Sequence, residues 1–274
     1  MIPASFDYVE AASAEAAIAA LQEHGDEAKL MAGGHSLIPL MRFRLATPSV
    51  VVDISRLSDL SYVRDGGDHL AIGALTRHRD VETHDLVRSQ AGLLARVAGQ
   101  VGDPQVRHRG TIGGSLAHGD PASDLPAALL ALGGSVVARG PGGERVITAS
   151  ELFTGFLETA LAPDELLTEV RVPKRPHARW SFQKFNRRAQ DWAIVGVAAC
   201  RNGADATGVA LINMGQTPMV AAAVEAALAS GASAADAAAR AAEGTEPPED
   251  LNGDAEYRTH LAQVLVGRAL AELG

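Results

Sequence analysis

Along the chain, short apolar runs of strand length alternate with segments whose apolar residues recur at helical spacing, a pattern that predicts a mixture of strands and helices. Ser13 is placed to cap a helix carrying Glu15 in its first turn and Ala16, Ile18, Ala19 and Leu21 among its apolar positions, with Gly25 as its stop. KLMA at 29–32 predicts a short strand that runs into Gly33 and Gly34. SLIPLMRFRL at 36–45 predicts a helix with Pro39 in its first turn, and VVVDI at 50–54 a buried strand. The opening is therefore βαβ-like.

HLAIGALT at 69–76 is strand-like, with Thr76 able to cap a following helix, and LVRSQAGLLARVAGQVG at 86–102 has helical spacing. LPAALLALGG is a helix ending at glycine, SVVARG and ERVIT form a hairpin across PGG, and LLTEVRVP at 166–173 alternates like a half-exposed strand. Three strand candidates follow in WSFQKFN, AIVGVAAC and TGVALINMG. Alanine-rich helices then come near 219–230, 233–242 and 255–273, the last after the acidic linker EGTEPPED. Strands followed by helices imply a separate α+β unit. The polar stretch PKRPHAR places a boundary near 177, giving domains 1–177, itself divided into 1–60 and 61–177, and 178–274.

Charge narrows the functional classes. A formal net charge of −9 without any Lys/Arg-rich run beyond clusters such as RRAQ argues against nucleic acid as a partner. No apolar run has the length of a membrane span, and the N-terminus lacks the pattern of an export signal. A single cysteine, Cys200, excludes an internal disulfide and a Cys-ligated iron-sulfur cluster within this chain. A reducing cytoplasm is the expected compartment.

Candidate chemistry concentrates in two stretches, AGGHS at 32–36 and TIGGSLAHGDPASD at 111–124. Paired glycines after a strand let a ligand approach the main chain and can form a nest of N–H groups suited to anions. Two such nests facing each other would suit a diphosphate, with Ser36 and Thr111 adding hydroxyls. Neither stretch fits the dinucleotide fingerprint or the P-loop pattern. His118, Asp120 and Asp124 are a thin set for a metal, and Asp124 is placed to cap the helix that follows it.

AGGHSLIPLMRFRL, VRHRGTIGGSLAHGDPASDLPAALLAL and KFNRRAQDWAIVGVA, in this order and spacing, resemble the FAD-binding medium subunits of molybdenum hydroxylases, the group of aerobic carbon monoxide dehydrogenase and xanthine dehydrogenase. The resemblance implies a two-part FAD-binding domain of the vanillyl-alcohol-oxidase/PCMH type, then a C-terminal domain with an antiparallel three-stranded sheet and helices. It implies FAD contacts from Ala32, Gly33, Gly34, His35, Ser36 and Leu37 in the first loop and from Thr111, Ile112, Gly113, Gly114 and Ser115 in the second. Asp124, Leu167 and Lys184 match further contacts, and an aromatic residue near Trp192 stacks on the isoalloxazine in related subunits. Position 115, often asparagine in the family, is serine here. Lysine in an alternating segment is ordinarily solvated, whereas a cation near the flavin would stabilise negative charge there.

The same resemblance implies an electron-transfer role without a general acid, base or nucleophile on this chain. Molybdopterin and [2Fe-2S] clusters would be carried by a large subunit and a small iron-sulfur subunit, in a dimer of heterotrimers, and the acceptor would be a quinone, NAD or dioxygen. The competing expectations are a stand-alone FAD-dependent oxidase or reductase of the same fold, and a scaffold that has lost its cofactor.

Overall fold

The computed structural model of the chain describes residues 2–201 and 206–274. Its first sheet is parallel and three-stranded, with Val50–Asp53 between Asp7–Glu10 and Ala28–Met31. Val50, Val51 and Val52 are buried because this strand has a neighbour on each side and the helix Ala14–His24 packed against it. That helix begins as the sequence predicts: the Ala16 amide donates to Ser13 Oγ at 3.1 Å, and Gly25 ends it at φ +53°. The strand Asp7–Glu10 has no signature in the sequence; it lies on the sheet edge, tied by Tyr8 Oη donating to Asp53 Oδ2 at 2.6 Å.

The second sheet is antiparallel, in the order Val63–Asp65, His69–Gly73, Leu166–Pro173, Ser135–Gly140, Gly143–Thr148. The predicted hairpin is its outer pair. Two sequence expectations are corrected beside it. Thr76 caps no helix, since its hydroxyl is engaged with the Tyr62 backbone, receiving from N–H and donating to C=O. The helical stretch 86–102 is divided into Asp85–Gln90 and Gly92–Ala98 by Ala91, at φ −146° and ψ 56°. At Gly92 a Cβ would stand 2.7 Å from Nε1 of Trp180, so the second segment is seated where an indole from the C-terminal part of the chain fits.

The third sheet runs Arg179–Phe185, Val195–Arg201, Thr207–Ile212, Met219–Val220. The three expected antiparallel strands are joined by a fourth of two residues, too short to show an alternation in sequence. Ala198, Cys200, Ala210 and Ile212 share a core with the second sheet, while Val197, Ala199, Val209 and Leu211 face the other way, onto a core that includes Leu261, Leu265 and Ala269 of the helix Ala255–Leu273.

Between the second and third sheets lies the helix Asp124–Leu132, all nine residues of which are buried. A helix apolar all round after its first residue requires such a position. It is approached so closely that a Cβ on Gly208 of the third sheet would overlap the Ala131 carbonyl. The first residue of this immobilised helix is Asp124.

Candidate cofactor cleft

The first glycine loop connects the strand Ala28–Met31 to the helix Leu37–Phe43. Gly34 has φ +76°, a backbone state that side chains other than glycine rarely adopt. Gly33 is required for another reason: a Cβ there would overlap the Arg109 carbonyl and stand 2.9 Å from Gly110 Cα. The loop therefore rests directly on the segment leading into the second loop. Among the described residues, the amides of Gly33, Gly34, His35 and Ser36 donate to no backbone or side-chain acceptor, and Ser36 makes no capping bond with its hydroxyl. This is a set of donors without protein partners at the edge of a cleft.

The second loop differs. Thr111 caps the helix Ile112–His118 by accepting from the Gly114 amide at 3.1 Å. The Ile112 amide donates to Thr76 C=O at 3.0 Å, that of Gly113 to Ala74 C=O at 2.8 Å, and that of Ser115 to Thr111 C=O at 3.0 Å. The sequence suggests a nest of exposed amides at both glycine pairs; at the second pair those amides are already bonded within the fold, because the glycines form the first turn of a helix. Their lack of side chains serves close packing instead. A Cβ on Gly113 would be 2.5 Å from that of Ala74, and one on Gly114 would be 3.9 Å from Ala32 Cβ in the first loop. The two loops thus face each other across a gap bounded by bare backbone and the Ser115 hydroxyl.

The cleft between them encloses about 720 Å³, within the range of cofactor sites, roughly 300–1,000 Å³. Of the fifteen residues expected to contact the cofactor, all except Ile112 line it. Ile112 is 1% exposed and its side chain belongs to the core.

Asp124 does not cap its helix. Ser123 holds the capping position, and the Asp124 carboxylate reaches Lys184, with Oδ2 accepting from Nζ at 2.7 Å while Nζ also donates to Gln100 C=O at 3.1 Å. Lys184, which the alternation of its strand would place in solvent, is buried as Asp124's partner. Burial pushes the Asp124 carboxyl up to about 6 against the opposing pull of the Lys184 ammonium, and its Oδ1 has no partner among the described residues. An acceptor oxygen without a donor beside a cleft is what a cofactor N–H or O–H would satisfy. Leu167 is buried at the cleft wall just before a β-bulge, and Trp192, 58% exposed, also lines the cleft. Among the described residues, no three His, Cys, Asp or Glu side chains gather as metal ligands.

One cleft residue has no signal in the sequence. His78 lies in RHRD, which looks like a surface charge cluster, yet it is 4% exposed and lines the cleft. Burial, reinforced by His35, Arg77 and Arg107, pushes its imidazole down to about 4, so it is neutral at physiological pH.

Free amides, paired glycine loops and an apolar-walled cleft closed by a buried carboxylate define a cofactor-binding protein, and the family matches name the cofactor. Residues 4–175 match the family described as FAD binding domain in molybdopterin dehydrogenase, and residues 180–273 the CO dehydrogenase flavoprotein C-terminal domain. The chain is 38% identical to the carbon monoxide dehydrogenase medium chain of Hydrogenophaga pseudoflava, over 98% of this chain and 97% of that one. It is 39% identical to the 6-hydroxypseudooxynicotine dehydrogenase complex subunit alpha of Paenarthrobacter nicotinovorans, over 99% and 95% of the two chains. A solved Hydrogenophaga pseudoflava carbon monoxide dehydrogenase, which lacks the Mo-pyranopterin moiety of its cofactor, superposes with a TM-score of 0.95 at 40% identity, covering 100% of this chain and 98% of that one. Quinoline 2-oxidoreductase from Pseudomonas putida 86 gives 0.91 at 31% identity, covering 100% and 98%. The chain belongs to the FAD-binding medium subunits of molybdenum hydroxylases, an oxidoreductase family, and has their α+β fold.

Proposed function

We propose that this chain is the electron-transfer subunit of a molybdenum-containing hydroxylase or dehydrogenase, receiving electrons from iron-sulfur clusters of a small partner subunit and passing them to an external acceptor. A large molybdopterin subunit would perform the substrate reaction. The observation that carries the proposal is the convergence of both glycine loops, Asp124 and Lys184 on one cleft, in a chain whose single cysteine is buried and in which no metal cluster forms among the described residues. Relatives of near-equal identity, 38%, 39% and 37%, are named for carbon monoxide, 6-hydroxypseudooxynicotine and caffeine dehydrogenases, as expected if another subunit selects the substrate.

When bound, FAD supplies the exchange between one-electron and two-electron transfer. The chain's own residues bind and orient it. The free amides of Gly33 to Ser36 would donate to the diphosphate, the backbone of Gly113 and Gly114 would permit its close approach, and Ser115 would add a hydroxyl. Asp124, held by Lys184, would offer Oδ1 to a cofactor donor, and Leu167 and Trp192 would supply apolar contact. A domain boundary near 177 accompanies this proposal.

The test is purification through a tag on this chain from its native host. The expected species contains two further polypeptides, with iron, molybdenum and FAD in one complex. A chain that elutes alone with flavin and oxidises a small substrate by itself would instead be a stand-alone flavoenzyme. A well-folded complex without flavin would overturn both.

A further inference from the structure

We propose that His78 is a further cofactor-binding residue, donating a hydrogen bond from Nε2 to the diphosphate bridge of the bound dinucleotide. The proposal rests on the FAD-binding reading of the cleft and adds to it a residue outside both glycine loops.

His78 lies under the junction of those loops. Its amide donates to the Gly110 carbonyl at 3.0 Å, fixing the start of the helix His78–Thr83 against the segment that leads into Thr111. A Cβ on Gly110 would stand 2.6 Å from both Cδ2 and Nε2 of the imidazole, and a Cβ on Gly33 would stand 2.9 Å from Gly110 Cα. The ring edge, the Gly110 backbone and the first loop therefore form one stack, and all three border the cleft.

The imidazole is 4% exposed, and its Nδ1 is buried without a partner among the described residues. Nε2 also makes no hydrogen bond among the described residues, but unlike Nδ1 it is not sealed off, so it is the ring atom a ligand in the cleft can reach. Which nitrogen holds the proton follows from the ligand: His35, Arg77 and Arg107 disfavour the charged ring in either tautomer, whereas a phosphate oxygen only accepts, so the nitrogen that faces it must carry the proton. The proton then resides on Nε2, the atom beside Gly110. A neutral N–H donor complements the free amides of the first loop: both hold an anion by dipoles, with no ammonium or guanidinium required at the junction.

Calorimetry on the full chain stripped of flavin, titrated with FAD, ADP and riboflavin, tests the proposal together with nitrogen-15 NMR of the histidine rings. His78→Leu is expected to weaken FAD and ADP about tenfold or more, the loss typical of one hydrogen bond to a charged group, and to leave riboflavin unchanged. His78→Gln, which restores an N–H near the Nε2 position, is expected to recover most of that loss. In the wild type, ADP should shift the Nε2–H resonance of His78. Equal FAD and ADP binding by wild type and His78→Leu would overturn the role of His78 and leave the FAD reading standing. A His78 resonance indifferent to ADP would do the same even if the leucine variant failed to fold. Wild-type chain that binds neither FAD nor ADP would overturn the FAD reading itself.

Discussion

Lys184 Nζ and Asp124 Oδ2 meet at 2.7 Å with side chains only 6% and 5% exposed, joining the first strand of the third sheet to the first turn of the helix between the sheets. Removing one member of a buried pair leaves an uncompensated charge, at a cost of about 3–5 kcal/mol. Lys184→Met is expected to destabilise the cofactor-free chain by that amount at pH 8. The loss should shrink at pH 5, where Asp124 is protonated. Urea unfolding at the two pH values measures both.

Asp124 and His78 titrate in opposite senses. The Asp124 carboxyl rises from 3.8 to about 6 in the folded chain, so its favourable contribution is complete below 3.8 and lost as pH rises through about 6. The His78 imidazole falls from 6.5 to about 4, so its contribution is complete above 6.5 and lost as pH falls through about 4. Each shift corresponds to about 3 kcal/mol, and between pH 4 and 6.5 the two offset each other. Relative to wild type, cofactor-free Asp124→Asn should lose about 3 kcal/mol on acidification across this window, and His78→Leu should gain a similar amount. Parallel pH profiles for both variants and wild type would refute the assignment.

The glycine loops make a separable prediction. Gly33→Ala forces a methyl into the Arg109 carbonyl and should part the loops, abolishing flavin retention. Gly114→Asp, at an exposed position where a Cβ would stand 2.7 Å from the capping Thr111 hydroxyl and 3.9 Å from Ala32 Cβ, should displace that hydroxyl and lower FAD affinity by roughly tenfold or more through repulsion of the diphosphate. Unchanged flavin content in the aspartate variant, read from absorbance after gel filtration, would remove the second loop from the binding site.

At 58% exposure, Trp192 contributes little to the fold. Trp192→Ala should change the stability of the cofactor-free chain by no more than about 0.5 kcal/mol. The same variant should raise the fluorescence of bound flavin, because a stacked indole quenches it. Identical emission from variant and wild type would exclude the stack.

How much of this was legible depends on the range of the interactions that decide it. The helix after Ser13, the strand at 50–53 and the hairpin at 135–148 follow from local periodicity, caps and turn glycines, and the structure has them. Asp7–Glu10 escapes because DYVE is an exposed edge strand with no buried face to leave a period. The break at Ala91 escapes because the next residue, Gly92, packs on Trp180, distant in sequence. In the cleft, the glycine loops are visible as motifs, but whether their amides are free is decided by Thr76, Ala74 and Thr111, which only the fold brings into position. Lys184 and His78 look like surface residues because charge in a sequence does not reveal burial.

The helix Asp124–Leu132 belongs to the FAD-binding segment, yet the C-terminal sheet rests on it. Gly208→Val, driving a side chain into the Ala131 carbonyl, should therefore destabilise the protein by at least about 1–3 kcal/mol and weaken flavin retention from a site outside the cleft. The two family segments should accordingly unfold as a single cooperative block: a protease that nicks the chain near 177 should leave two fragments that comigrate until denaturant parts them, and neither fragment expressed alone should be soluble.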